Sequence, residues 1–313
     1  MRRLHFVYIA VTLFLLILVS ACSGAAAPAA TTTEPTEAPL PAAVTEPSPE
    51  ETPMSEAEPV EKEWEDFDPA NFSDPTNIDN PWFPLKPGMR YTYEGETEEA
   101  GVTVPHRVVT IVTDLTKEIG GVKTVVIWDQ DFSEGELVET ELAFFAQDDD
   151  GNVWRLGEYP EVYELGELVE NPTWIHGLKG AQAGIIMTAD PQMGTPSYSQ
   201  GWAPAVDFTD RGQVDQMGQK VCVPLDCYED VLVIAETSKG EPEAFQLKYY
   251  AQNVGNVSVG WRGADATKEK LELVEAVELS STELAEAHAQ ALELEERAYK
   301  NSKEVYALTS PSE

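Results

Sequence analysis

Apolar and polar residues alternate over most of this chain from residue 89 onward, and the period is that of β-strands. Tyr91 and Tyr93 alternate in 89–97, and Val104, Val108, Val109 and Ile111 mark 102–112. Further strands are expected at 122–132, 137–147, 153–156, 161–165, 206–215 and 219–223. The series ends with 228–237, 244–251, 257–261 and 270–279. Ser133-Glu134-Gly135-Glu136 and Asp148-Asp149-Asp150-Gly151-Asn152 separate neighbouring runs as hairpin turns, since Gly, Asn and Asp accept positive φ. Strand succeeds strand with no intervening helix. The expected fold class is mainly β: a curved antiparallel sheet, half-barrel or β-sandwich-like domain over residues 64–279.

The period changes at Ser280. Ser280 and Glu283 have the spacing of a capping box, and Ala, Leu, Glu and Lys dominate the residues C-terminal to them. Leu284, Ala291, Leu292, Ala298, Tyr299 and Val305 form an apolar stripe, so a C-terminal helix over 280–308 is expected to pack on the sheet.

Before residue 64 the pattern differs twice. Residues 1–21 carry Arg2 and Arg3, then an apolar run, then Ser20 and Ala21 before Cys22. This is the layout of a secretory signal. The cysteine after Val19-Ser20-Ala21 resembles the lipobox of bacterial lipoproteins, which implies a lipid-modified Cys22 and attachment to the bacterial membrane outside the cytoplasm. The competing reading is an uncleaved membrane anchor. Residues 22–63 are rich in Pro, Ala, Thr and Glu and lack aromatic residues, so they form no core and read as an extended acidic tether.

Charge narrows the partners. The 313 residues include 56 Asp and Glu against 20 Lys and Arg, for a net charge of −36. That excess excludes a nucleic-acid role, which needs a basic face, and a polybasic hold on anionic lipid. It leaves open a basic protein partner.

Cys222 and Cys227 enclose four residues, and in an exported chain such a pair points to a disulfide, with free thiols or a metal pair as alternatives. His106, His176 and His288 are too scattered to complete a zinc site. The oxygen-rich strings at 129–136 and 148–152 lack calcium-loop spacing and fit hairpin turns, and 74–80 reads as a loop whose Asn and Asp bond their own backbone, with a cation the alternative; no metal and no cofactor is expected. No Gly-x-Ser-x-Gly, HExxH or Ser-x-x-Lys motif stands in a catalytic setting. A non-catalytic role is therefore expected, with a secreted hydrolase the remote alternative.

Several strings recur together in one known group. NPWFPLKPG at 80–88, DGNVW at 150–154, GAQAGIIM at 180–187 and KYYA at 248–251 resemble a family of uncharacterised bacterial secreted proteins and lipoproteins. The resemblance implies a β-rich fold and an envelope location, and no activity. A bent sheet offers a concave face for a small apolar or amphiphilic ligand. Trp128, Trp154, Trp174, Trp202, Trp261 and Tyr249 are the aromatic candidates for it, with residues 180–187 as a small-residue loop near the ligand. The alternative function is a protein–protein adaptor or envelope scaffold using the acidic surface.

Overall fold

The computed structural model describes residues 61–313, so the signal segment, Cys22 and nearly all of the tether lie outside the described residues. The strands are β1 Met89–Glu99, β2 Val102–Ile119, β3 Val122–Ser133, β4 Glu136–Gln147, β5 Val153–Glu164, β6 Glu167–Glu170 and β7 Trp174–Ile175. They continue as β8 Gly184–Met187, β9 Tyr198–Ser199, β10 Asp210–Cys222, β11 Cys227–Ser238, β12 Glu241–Ala251, β13 Gly255–Gly263 and β14 Lys270–Glu278. All join one curved antiparallel sheet of 14 strands that does not close. The order is β6-β5-β4-β3-β2-β1-β14-β13-β12-β11-β10-β9, with β7 and β8 also on β5.

The sheet is thus two meanders sewn together where β1 meets β14. Their register runs from Met89 opposite Glu278 to Glu96 opposite Lys270. Gly95 is required there, because a Cβ would run into the Lys270 carbonyl oxygen. Ion pairs repeat the register: Lys86–Glu278 at 2.7 Å, and Arg90–Glu275, Lys270–Glu96 and Lys268–Glu98 each at 2.9 Å.

Three strand expectations shift, one of them because the runs 206–215 and 219–223 form the single strand β10. The runs 153–156 and 161–165 are one strand, since Gly157 lets β5 pass close under the Trp174 carbonyl of β7. The strand expected at 206–215 starts at Asp210 because a 3-10 turn, Pro204–Val206, closes on Asp207 in a left-handed conformation at φ 57°.

The convex face carries the helix. Helix α1, Ser281–Asn301, has the capping box read from the sequence: the Ser280 side chain accepts from the Glu283 amide and the Glu283 carboxylate from the Ser280 amide. Ala287, Ala291, Leu294 and Ala298 pack on Trp128, Leu142, Phe144, Leu156 and Tyr159 of the sheet. The helix stops at Asn301 rather than 308. Past Ser302 the chain turns back into a 3-10 turn, Tyr306–Leu308, which seats Tyr306 fully buried among the sheet residues, where a continuing helix would carry it away.

One buried ion pair fastens this layer. Lys117 Nζ of β2 lies 2.9 Å from Glu295 Oε1, which also accepts from the Tyr306 hydroxyl at 3.0 Å and the Ser312 hydroxyl at 2.8 Å. Burial holds the Lys117 pKa below its ordinary value, against the pull of Glu295. Removing one partner strands the other charge in the core. Glu295→Ala is expected to cost about 3 kcal/mol of stability in urea denaturation, with Lys117→Met/Glu295→Leu recovering most of it. A loss below about 1 kcal/mol for the single variant would contradict a structural pair.

Candidate ligand site on the concave face

The concave face divides along its strands. At one end Val125, Ile127, Ala143, Phe145 and Val153 meet Val214, Leu232, Ile234 and Tyr250 from the other meander. Residues 78–85 stop this end, with Ile78, Trp82 and Leu85 buried in the same cluster. Asn80 holds the stopper: its side chain accepts from the Trp82 amide at 2.9 Å and donates to the Gly151 carbonyl at 2.9 Å.

Further along, the same alternation delivers charge. Successive inward positions two residues apart are Asp129 and Asp131 on β3 after Ile127, and Glu139 and Glu141 on β4 before Ala143. Arg155 comes two residues after Val153 on β5, and Lys248 two before Tyr250 on β12. Glu158, Asp210, Glu236, Glu269 and His106 complete one electrostatic network. Carboxylates outnumber cations in it.

The pairs are definite. Arg155 Nη1 donates to Glu158 Oε2 at 3.2 Å. His106 Nε2 stands 3.1 Å from both Asp131 Oδ1 and Glu269 Oε1, and Glu269 also accepts from the Gln246 amide. Lys248 Nζ lies 3.9 Å from Glu236. Glu158 is 1 % exposed, yet its Oε1 has no hydrogen-bond partner, and neither has Nε of Arg155.

Excess negative charge in a low-dielectric setting is relieved by protons. Burial and then Glu158 push the Glu141 carboxyl up to about 8, with Arg155 pulling the other way. Burial and Glu141 also raise Glu139. Burial lifts Asp210 to about 6 against the opposing effect of Arg155. Burial opposes charge on His106, but Asp131 and Glu269 outweigh it and take the imidazole to about 10. The same imidazole holds Glu269 below its ordinary value although burial works upward.

The six aromatic candidates do not assemble on this face. Trp128 and Trp154 lie in the convex cluster that packs α1, their indole N–H groups donating to Thr140 at 2.9 Å and Asp148 at 2.7 Å. Trp174 stacks on Phe208, with ring centres 4.9 Å apart. Tyr249 and Trp261 line a separate groove of about 630 Å³, and Trp202 lines another cleft. Large rings fill the space between sheet and helix and the margins of the curve. In 180–187, Gly184 is small because Gly201 passes against it, a packing reason rather than a ligand one.

Cys222 and Cys227 are bonded to each other, directly opposite across the β10–β11 hairpin. The Asp148 carboxylate accepts from the amides of Asp150 and Asn152, from the Asn152 side chain and from Trp154, as a turn organiser. Among the described residues no three His, Cys, Asp or Glu side chains are arranged so that they could hold a metal ion.

The charged network has its own signal in the sequence, apart from the aromatic residues: in LVETELAFF, residues 137–145, Glu139 and Glu141 occupy positions that alternation assigns to the same face as Ala143 and Phe145.

No protein-family model and no curated protein matches the chain. Among solved structures, a protein inferred to be exported, with a YmcC-like fold, from Bacteroides fragilis NCTC 9343 is similar at 12% identity and a TM-score of 0.36, over 63% of this chain and 98% of that one. A protein inferred to be a lipoprotein from Parabacteroides distasonis ATCC 8503 is similar at 12% identity and a TM-score of 0.31, over 63% and 99%. Likenesses this distant carry no argument about function.

The titrations give the network a measurable sign. Glu141, Asp210 and His106 all bind their protons more tightly folded than unfolded. Their stabilisation is complete below the unfolded values and is lost as pH climbs through about 6, 8 and 10. Glu269 has the opposite sign: its stabilisation is present above its ordinary 4.5 and is lost only as pH falls below that value. The melting temperature is therefore expected to fall from pH 5 to pH 9, and Glu141→Gln to flatten that fall between pH 5 and 8. Each proton contributes at most about 1.4 kcal/mol per pH unit. Thermal melts monitored by circular dichroism check this, and a melting temperature that rises over the range would refute the assignment.

Proposed function

We propose that this chain is an exported lipoprotein, acylated at Cys22 and held off the membrane by its acidic tether, whose β domain binds a small cationic amphiphile without catalysis. The signal and lipobox pattern supports the address, and the Cys222–Cys227 disulfide fits an oxidising compartment. One observation carries the ligand class. Glu158, buried with a free carboxylate oxygen, sits in a network where carboxylates outnumber cations. An ammonium or similar donor relieves that imbalance without protons, and the packed apolar cluster adjoining it on the same face would have to part for a hydrocarbon chain.

Protein extracted from membranes tests both parts. Cys22→Ser is expected to move the chain to the soluble fraction and abolish incorporation of labelled palmitate. Dodecyltrimethylammonium, titrated by calorimetry below its micelle concentration, is expected to bind at least about tenfold more tightly than a neutral dodecyl glycoside, a difference of about 1.4 kcal/mol. Glu158→Gln should remove that preference. Equal binding of both amphiphiles, or of neither, sinks the ligand assignment and leaves the address standing.

A further inference from the structure

The outer face of β10–β12 holds a cleft of about 520 Å³ on which cations converge in a chain of net charge −36. Arg211, Lys239 and Arg262 line it beside Trp202 and Phe245. Lys239 Nζ lies 4.9 Å from the centre of the Trp202 ring, and the Arg262 guanidinium 4.8 Å from that of Phe245. Aromatic ledges with a cation on each are a surface for acidic groups attached to an apolar frame.

The cleft already holds such a group on one side. Residues 61–65, Glu-Lys-Glu-Trp-Glu, run along it as a strap. Arg211 Nη1 donates to the Lys62 carbonyl at 2.7 Å, and its Nε lies 3.3 Å from the Glu61 carboxylate. Lys239 Nζ is 2.9 Å from the Glu63 carboxylate. The Trp64 and Trp202 rings are 6.2 Å apart, and Glu65 accepts from the Ser199 amide of edge strand β9 at 2.9 Å. Arg211 is held from behind by the Ser197 hydroxyl and carbonyl, both at 2.8 Å, so its fork is aimed before anything binds.

We propose that this cleft is a docking site for an extended acidic peptide of a partner protein, and that residues 61–65 are a built-in occupant that the partner displaces. The recognition elements are those the strap uses: a fixed Arg fork for a backbone carbonyl and a carboxylate, an ammonium for a second carboxylate, and an indole ledge for an aromatic side chain. Phe245 and Arg262 extend the site beyond the strap. Lys239 and Arg262 are 67% and 47% exposed at their side chains, so an incoming strand reaches both, although at Arg262 it would compete with Asp215, which lies 2.6 Å from Nη1. A tethered strap competes at a high effective concentration, on the order of millimolar. The unmodified chain therefore binds partners weakly, and loosening the strap tightens them.

The test is fluorescence anisotropy of a labelled Glu-Lys-Glu-Trp-Glu peptide with the full chain. Glu61→Gln/Glu63→Gln is expected to bind it at least about tenfold more tightly than the unmodified chain. Lys239→Gln/Arg262→Gln in that background should reverse the gain, and binding should weaken as salt rises. A peptide with glutamine for each glutamate should bind at least about tenfold more weakly. Matching circular dichroism spectra establish that each variant folds. The proposal is overturned if the strap variant gains no affinity, if the glutamine peptide binds equally, or if an acidic polysaccharide binds where the peptide does not. Self-association of the strap variant without peptide also overturns it, in favour of strand exchange between copies.

Discussion

Burying unequal numbers of opposite charges on one face of a sheet is the constraint around which this domain is arranged. A buried carboxylate is tolerable when it is paired, protonated or given a foreign cation. The concave network uses the first two together: Arg155, Lys248 and His106 pair with some of the acids, while Glu139, Glu141 and Asp210 retain protons beyond their ordinary range. The apolar stopper at residues 78–85 and the cluster around Ile127 and Phe145 keep one end of the curve free of charge. Curvature brings these groups together, and their chemistry limits how far the sheet can flatten.

The two faces treat ions differently. On the convex side Lys117 meets Glu295, and Arg297 meets Glu161 at 2.9 Å, each cation with one acid in a place where helix and sheet must register. Such pairs fix alignment and leave nothing over. On the concave side the charges do not balance, and Glu158 keeps an oxygen without a partner. Structural pairing on one face and residual charge on the other is the contrast between the two sides of the sheet, and the proposed cation is one way of settling the second.

Much of the fold could be read from residue order. Alternation located most of the strands, and the Ser280–Glu283 spacing located the helix start, because both signals are local. The helix end was not local: it depends on the place Tyr306 finds against Tyr159 and Phe144. The fusion of 153–156 with 161–165 into β5 depends on Gly157 passing beneath Trp174. The site was less legible. Aromatic residues such as Trp128 and Trp154 advertise binding in a sequence, yet tertiary packing claims them first. Glu139 and Glu141 look like ordinary surface acids until the curvature of the sheet assigns their side to the inside.

The seam between β1 and β14 also sets an order of events. Strands β1–β6 and β9–β13 are chains of hairpins whose contacts are local in sequence, and each series can form as it emerges. The two halves cannot join until β14, the last strand in sequence among the described residues, is present. Until then β1 is a bare edge, the kind of surface that recruits wrong strands. Its outer half carries Glu94, Glu96, Glu98 and Glu99, which repel a second copy of themselves, and Glu96 and Glu98 are answered by Lys270 of β14 and by Lys268 just before it. The same glutamates that look like surplus surface charge in the finished protein are thus suited to keep a half-made sheet single until β14 arrives.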